Sequence, residues 1–158
     1  MSRDIVTAVQ APFLNAFALL ERYIDVCPEE IWREKNGGWP VWQQIYHALT
    51  ALDFFVGQVG TPSDWPFDQA TGSLNVVSEQ YLTKEAAKKL ATEAKARVDI
   101  YLAGLSDADL AVREPRLSAV FGSDVPHGAI VGMLASHTLY HVGSCDAALR
   151  DHGLKGVF

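Results

Sequence analysis

The sequence predicts an all-α fold, a four-helix bundle, and three observations carry that expectation. Four stretches of about 20 to 25 residues repeat their apolar side chains at helical spacing, which at 1.5 Å per residue makes rods of about 30 to 37 Å. Each rod carries an apolar face that needs covering, and rods of matched length cover one another. The chain is 158 residues long, which suits a single domain, residues 1–158, with a core large enough to stand without disulfide or metal staples. Long loops are expected after the second and third helices, and the first of them favours a crossover connection over a simple up-and-down one.

The first helix is written by Ile5, Val6, Val9, Phe13, Phe17, Leu20 and Ile24. Pro12 sits inside that pattern and either kinks the helix or marks the start of its second half, because proline lacks a backbone donor and crowds the preceding turn. Cys27-Pro-Glu-Glu30 reads as a short fresh start, with Pro28 at a first helical position and two carboxylates near the positive helix end. Asn36-Gly-Gly38 then breaks the chain.

A second helix runs from about Pro40 to Val59. Val41, Ile45, Leu49, Leu52 and Val56 form its aliphatic stripe, and Trp42, Tyr46, Phe54 and Phe55 cover much of the remainder. His47 falls opposite the stripe, in line with Gln43, Ala51 and Phe54. It is either a solvent-facing histidine, which periodicity favours, or one that lines a polar pocket.

From Gly60 to about Leu82 the chain is turn chemistry, Thr61-Pro-Ser-Asp-Trp-Pro66 and Ala70-Thr-Gly-Ser73. Connections of that length are more often binding loops or lids than idle linkers. Trp65 and Phe67 are candidates to cover a pocket. Thr83 is an expected N-cap for a third helix that carries Ala87, Leu90, Ala91, Ala94, Val98, Tyr101, Leu102 and Leu105 inward. Lys84, Lys88, Lys89, Glu93, Lys95 and Arg97 are its expected solvated side. Ser106-Asp-Ala-Asp109 resembles a capping box. Arg113 to Pro126 reads as irregular, with Leu117, Val120 and Phe121 as a second candidate pocket wall. The last helix spans about Pro126 to Asp151 and stops near Gly153.

That last helix carries His137 and His141 four residues apart. Positions i and i+4 share a helix face, so both imidazoles can reach one point about 2 Å from their nitrogens, as a divalent metal requires. The face also holds Ile130, Met133, Leu134, Ser144, Cys145 and Ala148, which turns the pair toward the core. Buried imidazoles without partners cost roughly 1 to 3 kcal/mol each, and coordination would satisfy both. Two core or surface histidines without a metal are the plainer alternative. Bundles build metal sites from facing helices, and His47 on the second helix can supply the third ligand. Cys145, a turn beyond His141, reads as a small core residue more readily than as a fourth ligand. His127 is too distant to share the ion, and His152 lies beyond the core pattern.

Composition excludes other classes. Net charge is −6 and basic residues are scattered, so no nucleic-acid footprint exists, and no apolar run is long enough to cross a membrane. Only Cys27 and Cys145 are present and Met1-Ser-Arg-Asp4 lacks an export signal, which together predict a reducing cytoplasm.

Pro28-Glu-Glu-Ile-Trp32, Gly37-Gly-Trp39, a helix with the single His47, and a final helix with His137 and His141 together resemble the DinB/YfiT-like family of metalloenzymes over almost the whole chain. The resemblance implies a four-helix bundle with a three-histidine metal site at His47, His137 and His141, and a homodimer. Relatives include thiol-dependent S-transferases and a maleylpyruvate isomerase that uses a low-molecular-weight thiol. Many of them follow the second histidine of the pair with Arg-Gly-Gln, where this chain has Val142-Gly-Ser144.

The expected function is therefore metal-dependent chemistry on a small molecule, thiol transfer or hydrolysis, in which zinc or nickel, or iron as a third option, activates water or a thiol. Gln43, or alternatively Asp53, is the expected hydrogen-bond partner of His47. Tyr140 either donates a hydrogen bond at the site or is a buried structural tyrosine. A non-catalytic metal or small-ligand binding protein and a dimeric structural bundle are the alternatives.

Overall fold

Helical spacing becomes helix over most of the chain. The computed structural model describes residues 1–60 and 64–158; Thr61, Pro62 and Ser63 of the expected turn segment lie outside the described residues. In chain order the helices are α1 (Asp4–Val26), α2 (Glu29–Arg33), α3 (Val41–Val56), α4 (Gln69–Gly72), α5 (Lys84–Gly104), α6 (Pro115–Phe121) and α7 (His127–Asp151). The long ones form a ring in which α1 packs on α7 and α5, and α3 packs on the same two. The chain therefore steps to the diagonal position between α1 and α3 and again between α5 and α7. The long connection after α3 joins neighbours, and its length builds a pocket wall. No helix of the described residues is long and apolar enough to cross a membrane.

The core is filled from all four faces by Phe13, Phe17, Leu20 and Ile24, by Ile45, Leu49 and Leu52, by Leu90 and Val98, and by Ile130, Leu134 and Val142. Ile5 and Val9, expected on the apolar stripe of α1, are exposed, whereas Val6 between them is fully buried. Helix α1 runs unbroken through Pro12, which lies on the solvent side, where the carbonyl left without a partner meets water. The Asn36-Gly-Gly38 break is a small antiparallel hairpin, β1 (Lys35–Asn36) with β2 (Trp39–Pro40). Its turn needs φ of 61° at Gly37 and 92° at Gly38, a region closed to most side chains.

Four expectations are corrected. Helix α3 stops at Val56, three residues early, because Gly57 turns away with φ of 74°. The loop after it contains α4, whose first turn is capped by Asp68 accepting from Thr71 N at 2.8 Å. Residues 113–126 are not irregular, since Pro115 opens α6, the Glu114 carboxylate accepts from Arg116 N and Leu117 N, and Gly122 closes it in the left-handed region. Arg97 does not belong to the solvated side of α5. It is 4% exposed and donates from Nε to Asp53 of α3 at 2.6 Å.

Asp107, in the turn before the short 3-10 segment Asp109–Ala111, caps α1 from a distance of about a hundred residues in the chain. Its carboxylate accepts from the backbone N–H of Asp4, Ile5 and Val6 at 3.1, 3.0 and 2.9 Å. Arg3 at the N-cap position offers no such acceptor. The Ser2 hydroxyl and these three donors hold the Asp107 carboxyl below its ordinary value. Asp107→Ala is expected to lower the melting temperature by a few degrees, with Asp107→Asn losing less, by scanning calorimetry near neutral pH. This contribution is present above the ordinary carboxylate range and fades as pH falls through the folded-state value.

Candidate metal centre and pocket

Packing of α3 against α7 brings three histidines together. Ring centroids lie 5.0 Å apart for His47 and His137, 4.6 Å for His47 and His141, and 4.6 Å for His137 and His141. One nitrogen from each falls within 4.8 Å of the others. His141 is buried at 5% exposure, whereas His47 and His137 are half-buried and reach the wall of a cavity.

The aim of His47 is fixed by the loop. Its Nδ1 donates to the carbonyl of Gly72, the last residue of α4, at 2.7 Å. A carbonyl can only accept, so Nδ1 carries the proton and Nε2 of the neutral ring presents a lone pair. That lone pair faces His137 Nε2 at 3.2 Å. Two metal–nitrogen bonds of about 2.0 to 2.1 Å meeting at about 100° would separate their nitrogens by the same distance.

Burial sets the charge state. It pushes His137 down to about 4, helped by the charge His47 would carry, and His141 down to about 3, helped by both neighbouring rings. His47 is lowered by burial as well, against the opposing pull of the Gly72 carbonyl. All three rings are neutral near pH 7, the form that binds a metal. His137 Nδ1 and His141 Nδ1 are buried and have no hydrogen-bond partner among the described residues. A neutral, convergent trio of imidazoles fits a divalent ion.

The same burial predicts the pH response of the metal-free protein. Both rings of the α7 pair titrate near their ordinary value of 6.5 when unfolded and near 4 and 3 when folded. Between those limits the unfolded chain binds more protons, so stability falls as pH drops below about 6.5 and is unaffected by these groups above it. Thermal melts in chelator from pH 8 to pH 4 are expected to show that one-sided decline.

Beside the trio lies a cavity of about 660 Å³, walled by Tyr46, Phe54, Phe55, Trp65, Phe67 and Phe121, with His47 and His137 on its inner side. Trp65 and Phe121 thus stand where a pocket wall was expected. Gln43 does not partner His47. It is fully buried, its amide donating to the carbonyls of Thr71 and Val76 at 3.1 and 2.7 Å and accepting from Ser78 N at 3.0 Å. The loop backbone has polar groups to satisfy, and Gln43 satisfies three of them while Gly72 serves His47. Asp53 is equally engaged elsewhere, accepting from Arg97 and from Trp65 Nε1 at 3.0 Å.

Tyr140 is neither buried nor bonded to the pair. It is 72% exposed, its ring standing edge-on to His141 at 5.0 Å. Cys145 is buried, its Sγ facing the Val41 carbonyl, and it lies outside the histidine cluster. His127 bonds the Tyr101 hydroxyl at 2.7 Å, and His152 pairs with Glu34 at 3.0 Å. His47, Ala51 and Phe54 share a strip of α3 and all line the cavity, so the solvent-facing reading that periodicity favours for His47 gives way to the pocket. The Gly72 carbonyl, a backbone atom in a loop, left no sign in the sequence.

No curated protein and no solved structure matches the chain. The family model of the DinB superfamily matches residues 13–145, a span that contains α3 and all three histidines. The chain belongs to the DinB superfamily.

Proposed function

We propose that His47, His137 and His141 hold a divalent metal, zinc or nickel with iron as the third candidate. On this reading the chain is a metal-dependent enzyme acting on a small molecule, as a thiol S-transferase or a hydrolase. The single observation that supports the reading is the fixed lone pair of His47 Nε2, 3.2 Å from His137 Nε2. A divalent ion between these rings would take that lone pair together with one from each of the two neutral histidines beside it.

A divalent ion in such a site supplies Lewis-acid chemistry, polarising an oxygen or sulfur of a molecule beside it. The chain's own residues do the rest. His141 closes the buried side. His47 and His137 present their edges to the cavity, so that only a molecule inside it meets the site. A low-molecular-weight thiol as co-substrate, a homodimer of four-helix bundles, and a cytoplasmic setting compatible with the free thiols of Cys27 and Cys145 complete the proposal.

Metal analysis of untagged protein tests it. Near-stoichiometric metal is expected in the wild type and little in His47→Ala, and wild-type protein that takes up no zinc, nickel or iron overturns the metal site. Turnover is the second arm. Cellular thiols scanned against small electrophiles are expected to give metal-dependent product, and a loaded protein without any turnover would assign the chain to binding instead.

A further inference from the structure

We infer that the aromatic part of the pocket, apart from its histidine edge, selects an uncharged, aromatic-sized body over an anionic one, which deepens the enzyme proposal and rests on it for its chemical meaning. Volume comes first. About 660 Å³ lies within the roughly 300 to 1,000 Å³ usual for small-molecule sites. The walls are also set before any ligand arrives. Tyr46 meets Trp65 edge-on at 5.7 Å and Phe67 at 5.1 Å, and Trp65 is anchored through its indole N–H to Asp53. Flat apolar ligands gain most from rigid aromatic faces of this kind.

Charge decides the class. Among the described residues that line the cavity there is no lysine or arginine, and Asp68 is its one charged side chain. Arg97 and Arg116 line a separate cavity of about 380 Å³ on the other side of Phe54. Both are engaged there, Arg97 with Asp53 and Arg116 with the Phe55 carbonyl at 3.1 Å. An anionic group lodged among the aromatic walls, away from the ion proposed at His47 and His137, would lose its hydration with no cationic side chain of the lining to replace it. The polar groups at hand are neutral, Thr50, Gln69, Ser73 and the histidine edges. A neutral ring system with one hydroxyl-like or thiol-like group turned toward His47 and His137 fits this lining.

Calorimetric titration of the metal-free protein with 2-naphthalenemethanol and with 2-naphthoate, which share one ring system and differ in charge, tests the inference. The alcohol is expected to bind at least about ten-fold more tightly. Ala51→Phe, which fills the cavity from α3, is expected to remove that binding. Ser73→Lys, an exposed change at the cavity edge, is expected to raise naphthoate affinity and leave the alcohol nearly unchanged, so the inference stays testable if Ala51→Phe fails to fold. Equal or tighter binding of naphthoate, no binding of either probe, or alcohol binding untouched by a folded Ala51→Phe would each overturn it. Because no metal is present, failure here is distinct from failure of the metal site.

Discussion

Replacing His141 with leucine is expected to raise the melting temperature of the metal-free protein while weakening zinc binding by at least about 100-fold. The two effects have one origin. His141 is 5% exposed and its Nδ1 has no partner among the described residues, so the folded chain carries a buried polar atom whose hydration was lost without return. Such an atom costs about 1 to 3 kcal/mol, and a leucine of similar size removes it. The same change deletes a ligand. It should also flatten part of the acid decline, since His141 is the ring held furthest below its ordinary value. Scanning calorimetry in chelator and competition titration with zinc check both halves. A histidine that were only structural would give the reverse, a lower melting temperature and unchanged zinc binding.

The largest loss of stability is expected from Asp53→Ala, about 3 to 5 kcal/mol by denaturant titration. Asp53 sits between two elements, accepting from Arg97 Nε at 2.6 Å and from the Trp65 indole at 3.0 Å. Arg97 is 4% exposed, so removing the carboxylate takes a charged partner from a guanidinium held in the interior. The decisive comparison is with the double variant Asp53→Leu, Arg97→Met. Removing both charges together should recover most of the stability, because the penalty arises from a buried charge that has lost its carboxylate more than from loss of attraction. Trp65 still loses its acceptor in the double variant. Naphthalenemethanol binding should therefore weaken even where stability returns, which separates the wall of the pocket from the strength of the fold.

The helices were legible because burial against neighbours enforces the 3.6-residue period, and the i, i+4 spacing of His137 and His141 places both on one helix face by geometry alone. His47 was harder. Its helix is apolar nearly all round, so periodicity favoured a solvent-facing imidazole opposite the aliphatic stripe, and family resemblance overrode it. Gln43 and Asp53 were assigned to His47 by their place in the chain, yet each is claimed by groups distant in sequence, Thr71, Val76 and Ser78 for one, Arg97 and Trp65 for the other. Arg97 itself read as solvated because a charge on a helix usually is, and its burial depends on an acid of another helix. Tyr140, apolar in pattern but exposed, shows the converse.

The bond from His47 Nδ1 to the Gly72 carbonyl ties the proposed metal centre to a segment that is mostly loop. Gln43, one turn earlier on α3, grips the same segment at Thr71, Val76 and Ser78. Anything that fixes the imidazole of His47 must then steady residues 68–78, and anything that steadies them must favour the imidazole in its binding orientation, by thermodynamic reciprocity. Zinc should accordingly slow hydrogen exchange at the backbone amides of this segment, and a ligand seated between Trp65 and Phe67 should tighten zinc.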